Sequence, residues 1–105
     1  MTKTIIQQLA EFSAETRFES LPHAVVTETR RIVLDSIGCA AAGTEQIKGR
    51  AGIEYGRLIG ATDGKATIIG TGERVSILGA AFANGELFNA IDMDCVVPPG
   101  HVSPY

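Results

Sequence analysis

The stretch QIKGRAGIEYGRLI, residues 46–59, decides the fold. It reads as a helix weakened by its own composition, because Gly49, Gly52 and Gly56 each cost about 1 kcal/mol relative to alanine in a helix interior. Glycines at that spacing make sense where a neighbouring helix packs very close. The stretch therefore predicts a tightly packed helical fold.

Working outward, the longest helix is predicted upstream, from His23 to Ala42. Pro22 fits its first turn, where a missing N–H costs nothing. Val26, Val33, Ile37 and Ala41 return to one face, Glu28, Arg30 and Arg31 are left to solvent, and Gly43 is placed as the C-cap. Earlier still, Thr4 to Ala14 carries Ile5, Ile6, Leu9 and Phe12 at helical spacing with Thr4 as N-cap, and FESLP connects the two helices. Downstream, a turn at Asp63-Gly64 and another at Gly70 to Gly72 bracket a β-branched run at Thr67 to Ile69. One short β element near residues 67–70 is predicted, and it needs a partner. From Ser76 the pattern is helical again through Ile77, Leu78, Ala81, Phe82, Leu87, Phe88 and Ile91, with Asn84-Gly85 expected to divide or kink it.

The 105 residues make one domain of ordinary size at most. A composition of 45% hydrophobic and 20% charged residues is that of a globular protein. The net charge of −3 and the scatter of nine Lys and Arg argue against a nucleic-acid partner, which needs clustered positive charge. No apolar run reaches bilayer-spanning length, and MTKTIIQQLAEF lacks the blocks of a signal peptide. A cytoplasmic protein with no membrane partner is expected. Cys39 and Cys95 show no CxxC spacing and read as two reduced thiols.

Three familiar motifs fail on stated requirements. GTGERV from Gly70 has Val75 where a dinucleotide fingerprint needs its third glycine. GATDGKA has too short a glycine spacing for a phosphate loop and puts Ala66 after Lys65. Asp92 and Asp94 begin like a calcium loop, but Val96 stands at the next ligand position. His23 is most simply a helix-start histidine.

The tail NAIDMDCVVPPGHVSPY, residues 89–105, is the chemically loaded segment. The plainer reading is a helix terminus followed by a Pro-rich loop. Against it, Asp92 and Asp94 close an apolar helix, where a carboxylate is costly unless paired or used. The connection VVPPGH is stiff and is suited to hold His101 near Asp92 as an acid/base pair titrating around neutral pH. Asp92, Asp94 and His101 lack a recognised metal-ligand spacing, so no metal is assigned.

At these residues the chain resembles the N-terminal part of the MmgE/PrpD family, which includes 2-methylcitrate dehydratase, cis-aconitate decarboxylase and iminodisuccinate epimerase. The resemblance is carried by Leu21 to Gly43, where a helix bears Asp35 shortly before Gly38, by GAAFANGELFNAIDMDC at Gly79 to Cys95, and by GHVS at Gly100 to Ser103. It departs from the family pattern where Met93 replaces an aromatic residue, Cys95 a second aspartate, Val96 a threonine and Val102 a proline.

The resemblance implies a mainly α fold, the N-terminal portion of the family's all-helical large domain. Residues 1–105 are then expected to be an incomplete segment of that domain, with the smaller lid domain absent. It implies Asp92 and His101 as catalytic residues, and Asp92, Cys95, His101 and Ser103 as substrate-binding ones. The function implied is that of a cofactor-independent lyase or isomerase acting on a di- or tricarboxylate, 2-methylcitrate dehydratase-like, with a homodimer in the full-length protein. The isolated segment is expected to be inactive. The alternative is a stand-alone helical binding module, or an oligomerisation piece in which the glycine-rich helix mediates self-association.

Overall fold

The computed structural model describes residues 3–60, 64–93 and 95. These are mainly helical: α1 (Ile5–Glu15), a 3-10 turn (Phe18–Ser20), α2 (His23–Gly43), α3 (Ile47–Ile59) and α4 (Ile77–Phe88), with two short strands, β1 (Ala66–Thr67) and β2 (Arg74–Val75), between α3 and α4. The chain divides into two compact units, residues 1–30 and 31–105.

In the first unit, α1 begins as its sequence predicts. The Thr4 hydroxyl accepts from the Gln7 N–H while the Gln7 side chain accepts from the Thr4 N–H at 2.9 Å, a capping box that satisfies two helix-end donors. Its apolar stripe of Ile5, Ile6, Leu9 and Phe12 is exposed, and no residue of α1 is buried. Helical periodicity was sufficient to form this helix; nothing in the unit covers its apolar side. Pro22 sits just before α2, its carbonyl accepting from Val25 and Val26.

In the second unit, α3 and α4 pack through the glycines of residues 46–59. Gly49, Gly52 and Gly56 are all buried. A Cβ placed on Gly56 would stand 2.7 Å from the Gly79 carbonyl oxygen and 2.8 Å from the Ala83 Cβ, and one on Gly52 would meet the Glu86 Cβ at 2.5 Å. Gly52 and Gly56 therefore face α4, and Gly49 faces the Gly43 carbonyl of α2, so the glycines are taken up by packing within the chain rather than left open for the self-association alternative. The opposite side of α3 leaves Ile47 and Leu58 exposed.

The buried face of α2 also differs from expectation. Val33, Ile37 and Ala41 are exposed, whereas Ser36, Cys39, Ala40 and Gly43 are buried. Both sets recur at helical spacing, and small residues win because close helix packing excludes large ones. Gly43 is the last residue of α2 rather than a residue beyond it, and a Cβ there would collide with the Leu87 carbonyl and approach Ala90 at 3.1 Å. The core comprises Ala40, Ile53, Ile68, Val75, Ala80, Ala83 and Leu87, with Ile68 and Leu87 the largest fully buried side chains.

The β element is a hairpin. Ala66 pairs with Val75 and Thr67 with Arg74 in antiparallel register, so the partner strand follows on the turn predicted at Gly70 to Gly72. Gly70 and Gly72 have positive φ of 83° and 73°, as the predicted turn requires. A Cβ on Gly70 would also meet Thr44 Cγ2 at 2.6 Å, which seats the turn at the end of α2. Asn84 does not break α4. Its side-chain amide accepts from the Ile69 N–H at 2.8 Å and donates to the Thr67 carbonyl at 3.0 Å, completing the hairpin where backbone pairing ends.

Candidate functional site

Ser76 starts the helix that delivers the candidate site. Its hydroxyl accepts from the Gly79 N–H at 3.1 Å, capping α4. Leu87, near the other end, is fully buried. The helix closes at Phe88, earlier than the apolar pattern to Ile91 suggests, with Asn89 as its C-cap. The turn beyond is built by Ala90 N–H donating to the Leu87 carbonyl at 3.3 Å and by Asp92 N–H donating to the Asn89 carbonyl at 3.1 Å.

Asp92 lies in this turn with φ of 54°, the one non-glycine residue with positive φ among those described. A left-handed conformation is disfavoured for a residue with a Cβ, though aspartate tolerates it better than most. Asp92 is exposed. Burial of its carboxylate at the end of an apolar helix was the sequence argument for a functional role. The turn corrects this by carrying the carboxylate out to the surface.

One helix holds the start of this turn and another the segment that follows it. Lys48 of α3 donates from its ammonium to the Asn89 side-chain oxygen and stands 3.7 Å from the Glu86 carboxylate. From α2, the Cys39 thiol lies 3.9 Å from the Met93 carbonyl, and the Cys95 thiol donates to the Asp35 carboxylate at 3.6 Å. Asp35 and Cys39 are one helical turn apart, so the segment runs along a single stripe of α2. Sequence reasoning singled out Cys95 but not Asp35 as a site residue. The only advance signal for Asp35 is its place in the first stretch of family resemblance.

Of the predicted site residues, Asp92 and Cys95 are therefore on one short segment. His101 and Ser103 lie outside the described residues, as does Asp94, so the Asp92–His101 pair has no geometry here. Among the described residues no three His, Cys, Asp or Glu side chains gather in a way that would hold a metal ion. No helix is long and apolar enough to cross a membrane. Away from Asp92, an open groove of about 400 Å³ between α3 and α4 is lined by Lys48, Ala51, Gly52, Tyr55, Phe82 and Glu86. Tyr55 and Phe82 meet there with centroids 4.8 Å apart and planes tilted by 57°, an ordinary aromatic packing geometry.

Elsewhere in the unit, Arg57 of α3 grips Glu73 before β2 through two hydrogen bonds, one of 2.7 Å from Nε to Oε2. That bonding holds the Glu73 carboxyl below, and the Arg57 guanidinium above, its ordinary pKa. The pair ties the hairpin to α3 and lies apart from Asp92 in sequence and partners.

No curated protein and no solved structure matches the chain. The family model described as the MmgE/PrpD N-terminal domain matches residues 7–104, which takes in most of α1, the other helices, the hairpin and the tail as far as Pro104, with Asp92, Cys95, His101 and Ser103. The chain belongs to the MmgE/PrpD family.

Proposed function

We propose that this segment contributes Asp92 and His101 to the site of a cofactor-independent lyase or isomerase. The reaction moves a proton at a carbon next to a carboxylate of a di- or tricarboxylate, in the manner of 2-methylcitrate dehydratase. The observation that carries this reading is the family match over residues 7–104, joined to the position of Asp92 as an exposed carboxylate on a turn anchored from two helices.

Dehydration, decarboxylation and epimerisation at such a carbon all need an acid or base at the reacting centre and stabilisation of developing negative charge. Asp92 supplies a carboxylate for the first task, and His101 a group that titrates near neutrality. Cys95 and Ser103 are assigned to substrate binding. Lys48 is already engaged by Asn89 and Glu86, so the positive charge that attracts a polycarboxylate is assigned to residues outside this segment, in a cytoplasmic homodimeric full-length protein.

The test is made in the full-length protein. His101→Gln and Asp92→Asn should each lower kcat/KM by roughly 10²- to 10⁴-fold with folding unchanged. If the two act as a pair, the double variant loses much less than the product of the single losses. Near-normal turnover in both single variants, at unchanged melting temperature, would return the tail to being a loop.

The second reading, a helical binding or association module, draws on the exposed Tyr55 and Phe82 in the α3–α4 groove. Light scattering during thermal melting separates the two. A stand-alone module melts cooperatively as a monodisperse species, whereas a segment lacking its covering partner associates.

A further inference from the structure

The segment that carries Asp92 touches α2 at two places one helical turn apart. At one, the Cys39 thiol meets the Met93 carbonyl at 3.9 Å; at the other, Cys95 donates its thiol proton to Asp35 at 3.6 Å. The first contact is long for a hydrogen bond donated by a thiol. The second joins a donor to an ionisable acceptor, and hydrogen bonds to charged acceptors are the stronger kind. It links residues 60 positions apart in the chain. Turn hydrogen bonds around Asn89 shape the start of the segment but do not fix its far end against the helix.

We propose that the Cys95 thiol and the Asp35 carboxylate form a latch that holds the Asp92 turn against α2, making Asp35 a positioning residue for the candidate site. The inference rests on the assignment of Asp92 to that site. Chemistry explains why a thiol serves there. An aspartate at position 95, as in the family pattern that this chain departs from, would set two carboxylates against each other, and one would have to take up a proton or a cation. Cysteine brings its own proton and is neutral at physiological pH.

The latch makes Cys95 a poor nucleophile. Its proton is held by a neighbouring carboxylate, and a thiolate formed there would face a like charge. Removing that charge should increase the thiolate fraction, and a tenfold increase corresponds to about one pKa unit. Arg31 lies one turn before Asp35 on α2 and is unchanged in every variant used.

The experiment follows alkylation of Cys95 by iodoacetamide at pH 7.5, read by peptide mass spectrometry, together with hydrogen exchange at the Asp92 amide. In Asp35→Asn, alkylation should speed up about three- to tenfold. In Cys95→Ala the Asp92 amide should exchange several-fold faster, whereas Cys95→Ser, which keeps a donor, should retain protection. Far-UV circular dichroism checks that each variant is folded. If Asp35→Asn unfolds, the Ala and Ser variants at position 95 still decide the matter. Equal alkylation in wild type and Asp35→Asn, or equal Asp92 exchange in Cys95→Ala and Cys95→Ser, overturns the latch. Neither readout involves substrate. Loss of turnover in Asp92→Asn with no latch would leave the functional reading intact, and a latch beside a silent Asp92→Asn would overturn the functional reading instead.

Discussion

Gly56 and Gly79 face each other across the α3–α4 contact so closely that a Cβ on either would run into the carbonyl oxygen of the other. Backbone, unlike a flexible side chain, cannot swing aside. Gly56→Ala and Gly79→Ala should each destabilise the chain by about 1–3 kcal/mol, the usual cost of overpacking. Gly85→Ala is the matched control: it lies in the same helix as Gly79, and its Cβ would meet nothing within 4 Å. There the helical preference of alanine should stabilise by about 0.5–1 kcal/mol. Chemical denaturation of the three variants reads both signs. Stabilisation by Gly56→Ala equal to that by Gly85→Ala would show that helix propensity, not backbone contact, governs these positions.

Asn84 offers a separate test of the hairpin. Asn84→Asp keeps an acceptor for the Ile69 N–H but presents a carboxylate to the Thr67 carbonyl, which then loses its donor. That bond is exposed and water can take the donor's place, so its loss costs about 0.5–1.5 kcal/mol. The Ile69 amide should remain protected in Asn84→Asp and lose protection in Asn84→Ala, as measured by hydrogen exchange.

The ion pair of Arg57 and Glu73 should appear in the acid limb of the stability curve. Hydrogen bonding to Arg57 lowers the Glu73 pKa from its ordinary value of 4.5, so folding favours the ionised form. The contribution is complete above pH 4.5 and is lost as pH falls through the lower folded-state value. Both side chains are partly exposed, at 47% and 40%, which limits the effect to about 1 kcal/mol or less and makes it salt-sensitive. Glu73→Gln should flatten this part of the curve and leave stability near pH 7 only slightly reduced. An unchanged acid limb in Glu73→Gln would exclude the pair as its source.

How much of this was legible in the sequence depends on whether the deciding interaction was local. The Thr4 cap, the Ser76 helix start, the Gly70 and Gly72 turn and the close approach announced by Gly49, Gly52 and Gly56 all follow from local conformational preference. The buried face of α2 does not, because Val33 and Ile37 are as periodic as Ser36 and Ala40, and only the neighbour chooses between them. Asn84-Gly85 has the composition of a helix break. A contact with Ile69 and Thr67 overrides it. Arg74–Val75 is too short to announce itself as a strand without its partner. At the site, Asp92 was legible through its motif, but its left-handed turn was not, since aspartate has no need to adopt one. Asp35 was not read as a site residue because its contact with Cys95 spans 60 positions.

The φ of 54° at Asp92 allows structure and function to be pulled apart at a single position. Glycine enters this region without steric cost, asparagine with little, and alanine at about 1–2 kcal/mol. If Asp92 mattered only as a turn residue, Asp92→Gly should be as stable as wild type or more so, and the full-length protein should work normally. If the carboxylate acts on the substrate, stability and activity part company: Gly at least as stable as Asp, Asn close to Asp and Ala lowest in melting temperature, yet all three variants depressed in turnover by roughly 10²- to 10⁴-fold. Turnover that instead tracked melting temperature across Gly, Asn and Ala would mean that the turn, not its charge, is what the protein needs at this position.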